Sequence, residues 1–259
     1  VGIATLKDEV YFVDGATEEN GLLKKITENG TFLIEKEVTK PVYKISKFKS
    51  QDEVSSNTLR IITPYNISKS SSSPIFEDEF KTKYPNCYKY LLTEREKLEN
   101  RDKGKVQFKP FYVWGRTQGI SRVGKKILNP TFSKHPRFLF VPEEDAYYTN
   151  GYGIYFSKDF SKNPSLFDSI VHPMSKEENI LIAQKILNSV VMDYYVSETS
   201  ISIQGGFPCY QKNFIERFTI PEFTPQELDT LNSLLDKDKI DAFLIKKYQL
   251  NIPVPNLVS

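Results

Sequence analysis

Arg137-Phe138-Leu139-Phe140-Val141 is the stretch that decides the fold class. Its aromatic and aliphatic side chains predict a β-strand. Further runs of the same kind, rich in aromatic and branched residues, lie at 9–13, 31–34, 59–62, 111–114, 126–128 and 154–156. The dipeptide Asn29-Gly30 marks a turn directly before the second of these runs. The chain is therefore expected to contain several short strands joined by polar turns.

Helices are expected between and after these strands. Pro85 suits the first turn of a helix with apolar residues at a spacing of three to four, and Asp102-Lys103-Gly104 is its expected end. Ser175 and Glu178 form a capping-box pattern at the start of a helix over 176–196. A second capping box, Thr224-Pro225-Gln226-Glu227, opens the first of two short C-terminal helices. Because strands and helices do not alternate regularly, the pattern favours an α+β fold with small mixed sheets and a few packed helices.

The composition is that of a folded protein. The chain has 259 residues, of which 39% are hydrophobic and 13% aromatic, and no apolar run is long enough to cross a membrane. Its start carries neither a signal-peptide pattern nor Met, so a piece of a longer chain is expected. Cys87 and Cys209 lie in dissimilar contexts, which predicts no disulfide framework and favours a cytoplasmic location. The distant His135 and His172 give no metal-ligand spacing.

The sequence lacks the motifs of several enzyme classes. It has no GxGxxG or GxxxxGK[ST] loop, no HExxH and no GxSxG elbow. Amino-methyltransferases place an Asn/Asp-Pro-Pro-Tyr/Phe turn against the flipped base, but Asn129-Pro130-Thr131 and Asn163-Pro164-Ser165 do not continue correctly. Glu79-Phe80-Lys81 matches half of a metal-dependent nuclease motif, without the Pro-Asp pair upstream. No catalytic residue and no metal site are predicted.

Positive charge is concentrated in one part of a nearly neutral chain. Residues 101–137 contain ten Lys or Arg residues and one acidic residue, Asp102, whereas the whole chain carries a net charge of +2. Such a stretch is typical of a phosphate-binding face, and it is equally typical of an ordinary solvated loop. Lysines bind phosphates with little geometric selectivity. The expected phosphate contacts are Arg122, Lys125, Lys126, Lys134 and Arg137.

Two polar loops are candidates for reading base edges. In the first, arginine suits guanine and glutamine suits adenine, and flanking glycines allow close backbone approach. Its candidate residues are Arg116, Thr117 and Gln118. In the second loop, Gln204, Gln211 and Asn213 are candidates for reading base edges. Tyr210 is a candidate for packing on sugar or phosphate, and Lys212 for binding a phosphate. Phe207 and Pro208 are candidates for an apolar wedge that fills the gap left by a flipped base, although the residue type favours a core position for Phe207.

Several stretches in order resemble the TaqI-like class of adenine-specific DNA methyltransferases, in the region that follows the catalytic domain. They are Val10-Tyr11-Phe12-Val13, Pro41-Val42-Tyr43-Lys44, Ile61-Ile62-Thr63-Pro64-Tyr65, Leu98-Glu99-Asn100-Arg101-Asp102, Trp114-Gly115-Arg116-Thr117-Gln118, Pro136-Arg137-Phe138, Gly205-Gly206-Phe207 and Tyr210-Gln211-Lys212. The set covers nearly the whole chain, but each motif is weak by itself. Recognition loops vary within this class, so base-contacting positions do not transfer from it.

The resemblance implies a target-recognition (specificity) domain of a restriction-modification enzyme, with double-stranded DNA as partner. An upstream methyltransferase domain would transfer the methyl group of S-adenosylmethionine to adenine N6, and an endonuclease could be fused to it. The chain would divide into an N-terminal α/β part (1–105), a DNA-reading core with a basic face (106–222) and a C-terminal helical segment (223–259). Two alternatives remain: a protein-interaction or assembly subunit without DNA affinity, and an independent nuclease that uses Glu79 and Lys81.

Overall fold

The chain forms two compact units in the computed structural model, which describes residues 2–68, 71–156, 177–203 and 205–252. The first unit contains Val1–Lys44, Ser56–Val123 and Asp145–Thr149, and the second contains Ile45–Ser55, Gly124–Glu144 and Asn150–Ser259. The chain passes between the units several times, so their limits differ from the three consecutive segments that we expected. Among the described residues, no helix combines the length and apolar character that a membrane span requires.

A four-stranded sheet forms the centre of the first unit. Its strands are β1 (Phe12–Asp14), β4 (Thr39–Lys44), β5 (Leu59–Ile62) and β10 (Tyr147–Thr149), in the order β1-β5-β4-β10. The first three pair antiparallel, and β10 lies parallel to β4 with Tyr147 opposite Val42. The strand expected at 9–13 begins only at Phe12, because Asp8–Tyr11 form one helical turn, α1. Thr5 Oγ1 accepts from the amide of Lys7 and donates to Asp8 Oδ1, which favours this turn over extended chain.

Hairpins and helices complete the first unit. The strands β2 (Leu22–Thr27) and β3 (Gly30–Glu35) pair across the predicted Asn29-Gly30 turn, and β6 (Tyr65–Ile67) pairs with β7 (Ser72–Pro74). The helices are α3 (Glu77–Lys83), α4 (Pro85–Thr93) and α5 (Arg95–Glu99). Pro85 opens α4 as predicted, but the helix does not run on to 102. At its end, Thr93 Oγ1 donates to the carbonyl of Tyr90, and such local side-chain bonds to the backbone compete with helical hydrogen bonding.

The strand expected at 111–114 is wrong, and its side chains are core residues on an irregular turn. Tyr112 and Trp114 are buried. Their backbone groups bond side chains: Tyr11 Oη donates to the carbonyl of Tyr112 at 2.9 Å, and the amide of Trp114 donates to Tyr65 Oη at 2.6 Å. A segment whose backbone groups are satisfied in this way does not need a strand ladder. The aromatic pattern is therefore typical of the buried position of residues 111–114, but it does not predict their backbone conformation.

The second unit contains a three-stranded antiparallel sheet. Its strands are β8 (Lys126–Pro130), β9 (Leu139–Val141) and β11 (Gly151–Tyr155), in the order β11-β8-β9. The predicted strands at 126–128, 137–141 and 154–156 all fall in this sheet, although β9 is shorter than expected. Phe138 stays outside β9 because its amide and carbonyl bond the side chain of Asn188, at 2.8 and 2.7 Å. The short helix α2 (Gln51–Ser55) packs near β9.

Helices and one small hairpin follow in the described part of the second unit. They are α6 (Ile180–Leu187), α7 (Val190–Thr199), the hairpin β12 (Ser202–Ile203) with β13 (Phe207–Pro208), α8 (Lys212–Ile215), α9 (Pro225–Ser233) and α10 (Lys237–Lys247). The single helix expected over 176–196 is wrong: it breaks between α6 and α7, where Ser189 Oγ donates to the carbonyl of Ile186. Ser175 lies outside the described residues. The capping box at Thr224 and Glu227 is confirmed, as is the α+β class.

Candidate nucleic-acid interface

The ten cations of residues 101–137 are divided between the two units. Six lie in the first unit (Arg101, Lys103, Lys105, Lys109, Arg116 and Arg122), and four lie in the second (Lys125, Lys126, Lys134 and Arg137). Two of them, Arg101 and Lys126, are buried. The local charge available to an anionic partner is therefore smaller than the sequence suggests, and it has to be assessed within each unit.

Arg101 is a structural residue inside the first unit. Its side chain is 1% exposed, and its guanidinium donates to the carbonyls of Leu98 (2.7 Å), Val113 (2.6 Å) and Phe111 (2.9 Å). It also lies over the ring of Phe108, 4.2 Å from the centroid. Burial lowers the pKa of Arg101 from its usual value. This cation fixes the turn that precedes Gly115 and is not available to a phosphate.

Arg116, Thr117 and Gln118 form an exposed polar turn on a fixed backbone. All three side chains are exposed. The amide of Arg116 donates to the carbonyl of Ala4 at 2.8 Å, and the amide of Ala4 donates back to Arg116 at 3.3 Å. After the turn, the buried Ile120 donates its amide to the carbonyl of Thr117 at 3.0 Å. The three side chains are thus presented to solvent from a backbone that is held on both sides.

Glycines are needed on both sides of this turn. A Cβ on Gly115 would lie 2.3 Å from Cγ of Leu6, and Gly119 has a φ of 76°, which favours glycine. Arg122 follows as an exposed residue, with its amide bonded to the carbonyl of Gly119 at 3.0 Å. The geometry agrees with a short loop that can approach another molecule closely.

Lys125 and Lys126 are occupied by contacts within the second unit. Lys125 is half-buried and forms an ion pair with Glu177. Lys126 is fully buried, and its ammonium donates to the carbonyls of Glu143 (2.7 Å) and Glu144 (3.1 Å). The structure gives no support to a phosphate contact by Lys126, because its ammonium is buried and donates to these two backbone carbonyls. Charge alone could not reveal this, since it says nothing about burial.

Lys134 and Arg137 differ in their exposure. Lys134 is exposed, and its Nζ lies 5.6 Å from the ring centroid of Phe207. Arg137 is half-buried, and burial lowers the pKa of its guanidinium. Beside them, the exposed His135 lies with Nδ1 3.3 Å from Oδ2 of Asp193. Of the four cations that residues 101–137 contribute to this unit, Lys134 is the best placed to meet a partner.

The second predicted loop is divided between core and surface. Tyr210 is 1% exposed, and its ring packs edge-on against Phe138, so its predicted contact with sugar or phosphate is wrong here. Gln211 is half-buried, whereas Lys212 and Asn213 are exposed at the start of α8. Gln204 lies outside the described residues.

Phe207 and Pro208 cannot act together as one wedge. In the hairpin, Phe207 is opposite Ile203, and Pro208 is opposite Ser202. Successive residues of a strand point to opposite faces, so only one of the two can enter a given gap. Sequence reasoning missed the partner residue Ile203, although Gly205-Gly206 between two short apolar runs is a signal for a hairpin.

The structure brings Lys134 and the hairpin together. The amide of Tyr210 donates to the carbonyl of Thr131 at 2.8 Å, and the amide of Ser133 donates to the carbonyl of Pro208 at 3.4 Å. The segment that leaves β8 therefore pairs with the segment that leaves β13. Lys134, Phe207 and Lys212 belong to one region of the second unit, which the separation of these residues in sequence did not predict.

The geometry gives no support to a nuclease site at Glu79 and Lys81. Both lie on α3, two positions apart, and residues at this spacing do not face each other on a helix. Lys81 pairs instead with Glu77 at 3.1 Å, and Glu79 accepts from Asn66 at 3.4 Å. Within the described part of the chain, no group of three or more potential metal ligands is found.

Comparison with known proteins connects the chain to methyltransferases. No family model matches it. Among curated proteins it is similar to the type II methyltransferase M.MjaIV of Methanocaldococcus jannaschii, with 24% identity over 164 residues. The match covers 61% of this chain and 49% of that protein. The chain is thus related in sequence to a methyltransferase of which it spans about half the length.

Proposed function

We propose that this chain is the DNA-recognition part of an adenine-specific DNA methyltransferase from a restriction-modification system. The observation that carries the proposal is the similarity to a type II methyltransferase over 61% of the chain. The ordered stretches that resemble the region after the catalytic domain of TaqI-like enzymes support it. So does the exposed Arg116–Gln118 turn, whose residue types suit the edges of bases.

The proposal assigns methyl transfer to residues outside this chain. The sequence has no Asn/Asp-Pro-Pro-Tyr/Phe turn for the target base and no glycine-rich turn for S-adenosylmethionine. Asn129-Pro130, the nearest match among described residues, is buried within β8. The Nδ2 of Asn129 donates to the carbonyl of Tyr210 at 3.0 Å, so its side chain holds the protein together.

Two groups of residues would share the work of binding. Arg116 and Gln118 would read base edges, while exposed cations such as Lys134, Lys212 and Arg122 would contact the phosphate backbone. Backbone contacts fix the register of the protein on the duplex, and base contacts select the sequence. The protein would hold the duplex while a neighbouring catalytic domain, bound to S-adenosylmethionine, acts on adenine N6.

Selection from random duplexes tests this function. Wild-type chain should enrich a sequence motif from the pool, and its binding should weaken as salt increases because counterions are released. Arg116→Ala or Gln118→Ala should lower affinity for the enriched motif by roughly 1–3 kcal/mol and relax one position of it. Leu235→Ala, a change at an exposed residue, is the matched control.

Two results would contradict the proposal. Absence of any affinity for duplex DNA would favour the assembly subunit, and binding that does not respond to salt would remove the role of the exposed cations. If Arg116→Ala and Gln118→Ala both enrich the same motif as wild type, the Arg116–Gln118 turn does not read the bases.

A further inference from the structure

The hairpin of the second unit has a thin, exposed tip. The amide of Gly206 donates to the carbonyl of Ile203 at 3.0 Å, which closes the turn between β12 and β13. Gly205 and Gly206 have φ values of 96° and 73°, which glycine adopts without steric cost. Among the described atoms, none lies within 4 Å of a Cβ placed on Gly206. Gly206 therefore stands clear of the other described residues.

The two faces of this hairpin differ in character. Ile203 and Phe207 are directly opposed and share one face, whereas Ser202 and Pro208 share the other. Ile203 is 41% exposed, and Ile201 at the entry to the hairpin is 62% exposed. Burial of large apolar side chains stabilises a fold. Packing among the described residues therefore does not explain why Ile201 and Ile203 are exposed.

The base of the hairpin is firmly held. The amide of Cys209 donates to the carbonyl of Ile201 at 3.0 Å, and an isolated bridge joins Cys209 to Phe132. Cys209 and Tyr210 are both buried. Because the base is held in this way, Ile203 and Phe207 lose little conformational freedom when they bind a partner.

Positive charge accompanies the apolar face. The ammonium of Lys134 lies 5.6 Å from the ring centroid of Phe207. Lys212 is exposed at the start of α8, with Glu216 3.4 Å away. Ile203 and Phe207 beside the ammonium of Lys134 are complementary to a partner surface on which apolar groups lie next to anions. The major groove of DNA is such a surface, because thymine methyl groups line it between the phosphate chains.

We propose that β12 and β13 enter the major groove of duplex DNA, where Ile203 and Phe207 contact the 5-methyl groups of thymine. The groove is about 12 Å wide and admits a two-stranded ribbon, whereas the minor groove is about half as wide. Lys134 then lies beside the groove and contacts a phosphate. This inference rests on the proposed function and deepens it by naming the feature of the base that the hairpin reads.

Replacing thymine by uracil removes only the methyl group, so it tests the contact directly. The pool enriched by wild-type chain is amplified once with dTTP and once with dUTP, and binding of both products is measured by fluorescence anisotropy. Wild type should prefer the thymine product by roughly fourfold for each methyl group that becomes buried. Ile203→Ser/Phe207→Ser should bind both products equally, with the affinity of wild type for the uracil product.

Variants on the opposite face provide the matched control. Ser202→Ala/Pro208→Ala should keep the preference for thymine, because these residues point away from the proposed contact. Ile203→Thr retains a β-branched side chain and should lose part of the preference, and it replaces the double variant if that variant unfolds. Equal binding of both products by wild type would overturn the inference, as would a preference that survives Ile203→Ser/Phe207→Ser. A pool that shows no enrichment would instead contradict the proposed function.

Discussion

The guanidinium of Arg101 donates to backbone carbonyls of four residues in the first unit. Arg116, fifteen positions later, has the same charge but an exposed side chain. The two arginines therefore serve different purposes: one holds the turn at 111–113, and the other is free to meet a partner. At the scale of the residue, burial decides which role a cation takes.

Arg101→Met should destabilise the protein by about 3 kcal/mol, because several buried carbonyls lose their donor. Urea denaturation measures this loss as a lower midpoint. Arg116→Met is the matched control, and it should change the free energy of unfolding by less than about 0.5 kcal/mol. DNA affinity should show the reverse order among the correctly folded variants. Equal stability of the two variants would contradict the role of Arg101.

Ionisation of Tyr112 is expected to lower the free energy of unfolding at alkaline pH. Burial raises its pKa to about 12 from the usual 10.0, and its hydroxyl donates to the carbonyl of Ile75 at 2.7 Å. Since the folded pKa lies above the unfolded one, this stabilisation is complete below pH 10 and is lost as pH rises towards 12.

The free energy of unfolding should therefore fall between pH 10 and pH 12. Urea denaturation at several pH values, with tyrosinate absorbance recorded in parallel, measures the effect. Tyr112→Phe should be less stable at neutral pH but should lose stability less steeply above pH 10, while Tyr194→Phe, at an exposed residue, should follow wild type. Identical pH profiles for Tyr112→Phe and wild type would contradict this assignment.

At the scale of the element, Asp241 joins two helices. It lies on α10 with 1% exposure, and its Oδ1 accepts from the amide of Val190 at 2.9 Å, at the start of α7. Its Oδ2 lies 2.6 Å from Nζ of Lys237. A carboxylate at a helix N-terminus satisfies an unpaired amide and interacts favourably with the helix dipole.

Asp241→Asn should lower the free energy of unfolding by about 2 kcal/mol, because the charge-assisted hydrogen bond to Val190 and the ion pair with the exposed Lys237 are both weakened. Thermal and urea denaturation measure it. Asp229→Asn on α9 makes the same chemical change at an exposed position, and it should be nearly neutral. A comparable loss in both variants would show that the contact with α7 contributes little.

At the scale of the whole molecule, exposed cations determine affinity for anions. Lys103, Lys105 and Lys109 are exposed, and none has a carboxylate partner among the described residues. By contrast, Lys36, Lys81 and Lys97 pair with Glu18, Glu77 and Glu28 respectively. Both sets belong to the first unit, so they form a matched pair of charge changes.

Replacing Lys103, Lys105 and Lys109 with Gln should reduce the slope of log affinity against log salt by roughly 0.9 for each phosphate contact that is lost. The loss should be similar for all duplex sequences, because phosphates carry no sequence information. Gln at Lys36, Lys81 and Lys97 should have a smaller effect, since their charge is already balanced locally. Duplex titrations at several salt concentrations measure both slopes, and equal slopes would contradict the distinction.

Periodicity and turn chemistry by themselves determined the fold class, the positions of six of the seven predicted strands and the starts of α4 and α9. These features depend on local preferences, which a sequence carries directly. The glycines on both sides of Arg116, Thr117 and Gln118 indicated a turn from the sequence, and the structure places these three side chains in solvent. Only the tertiary structure decided that residues 111–114 form no strand and that Arg101, Lys126 and Tyr210 are buried. It also placed Lys134 beside Phe207 and paired Phe207 with Ile203. Burial and pairing depend on contacts between residues far apart in the chain, so no local pattern of charge or hydrophobicity could determine them.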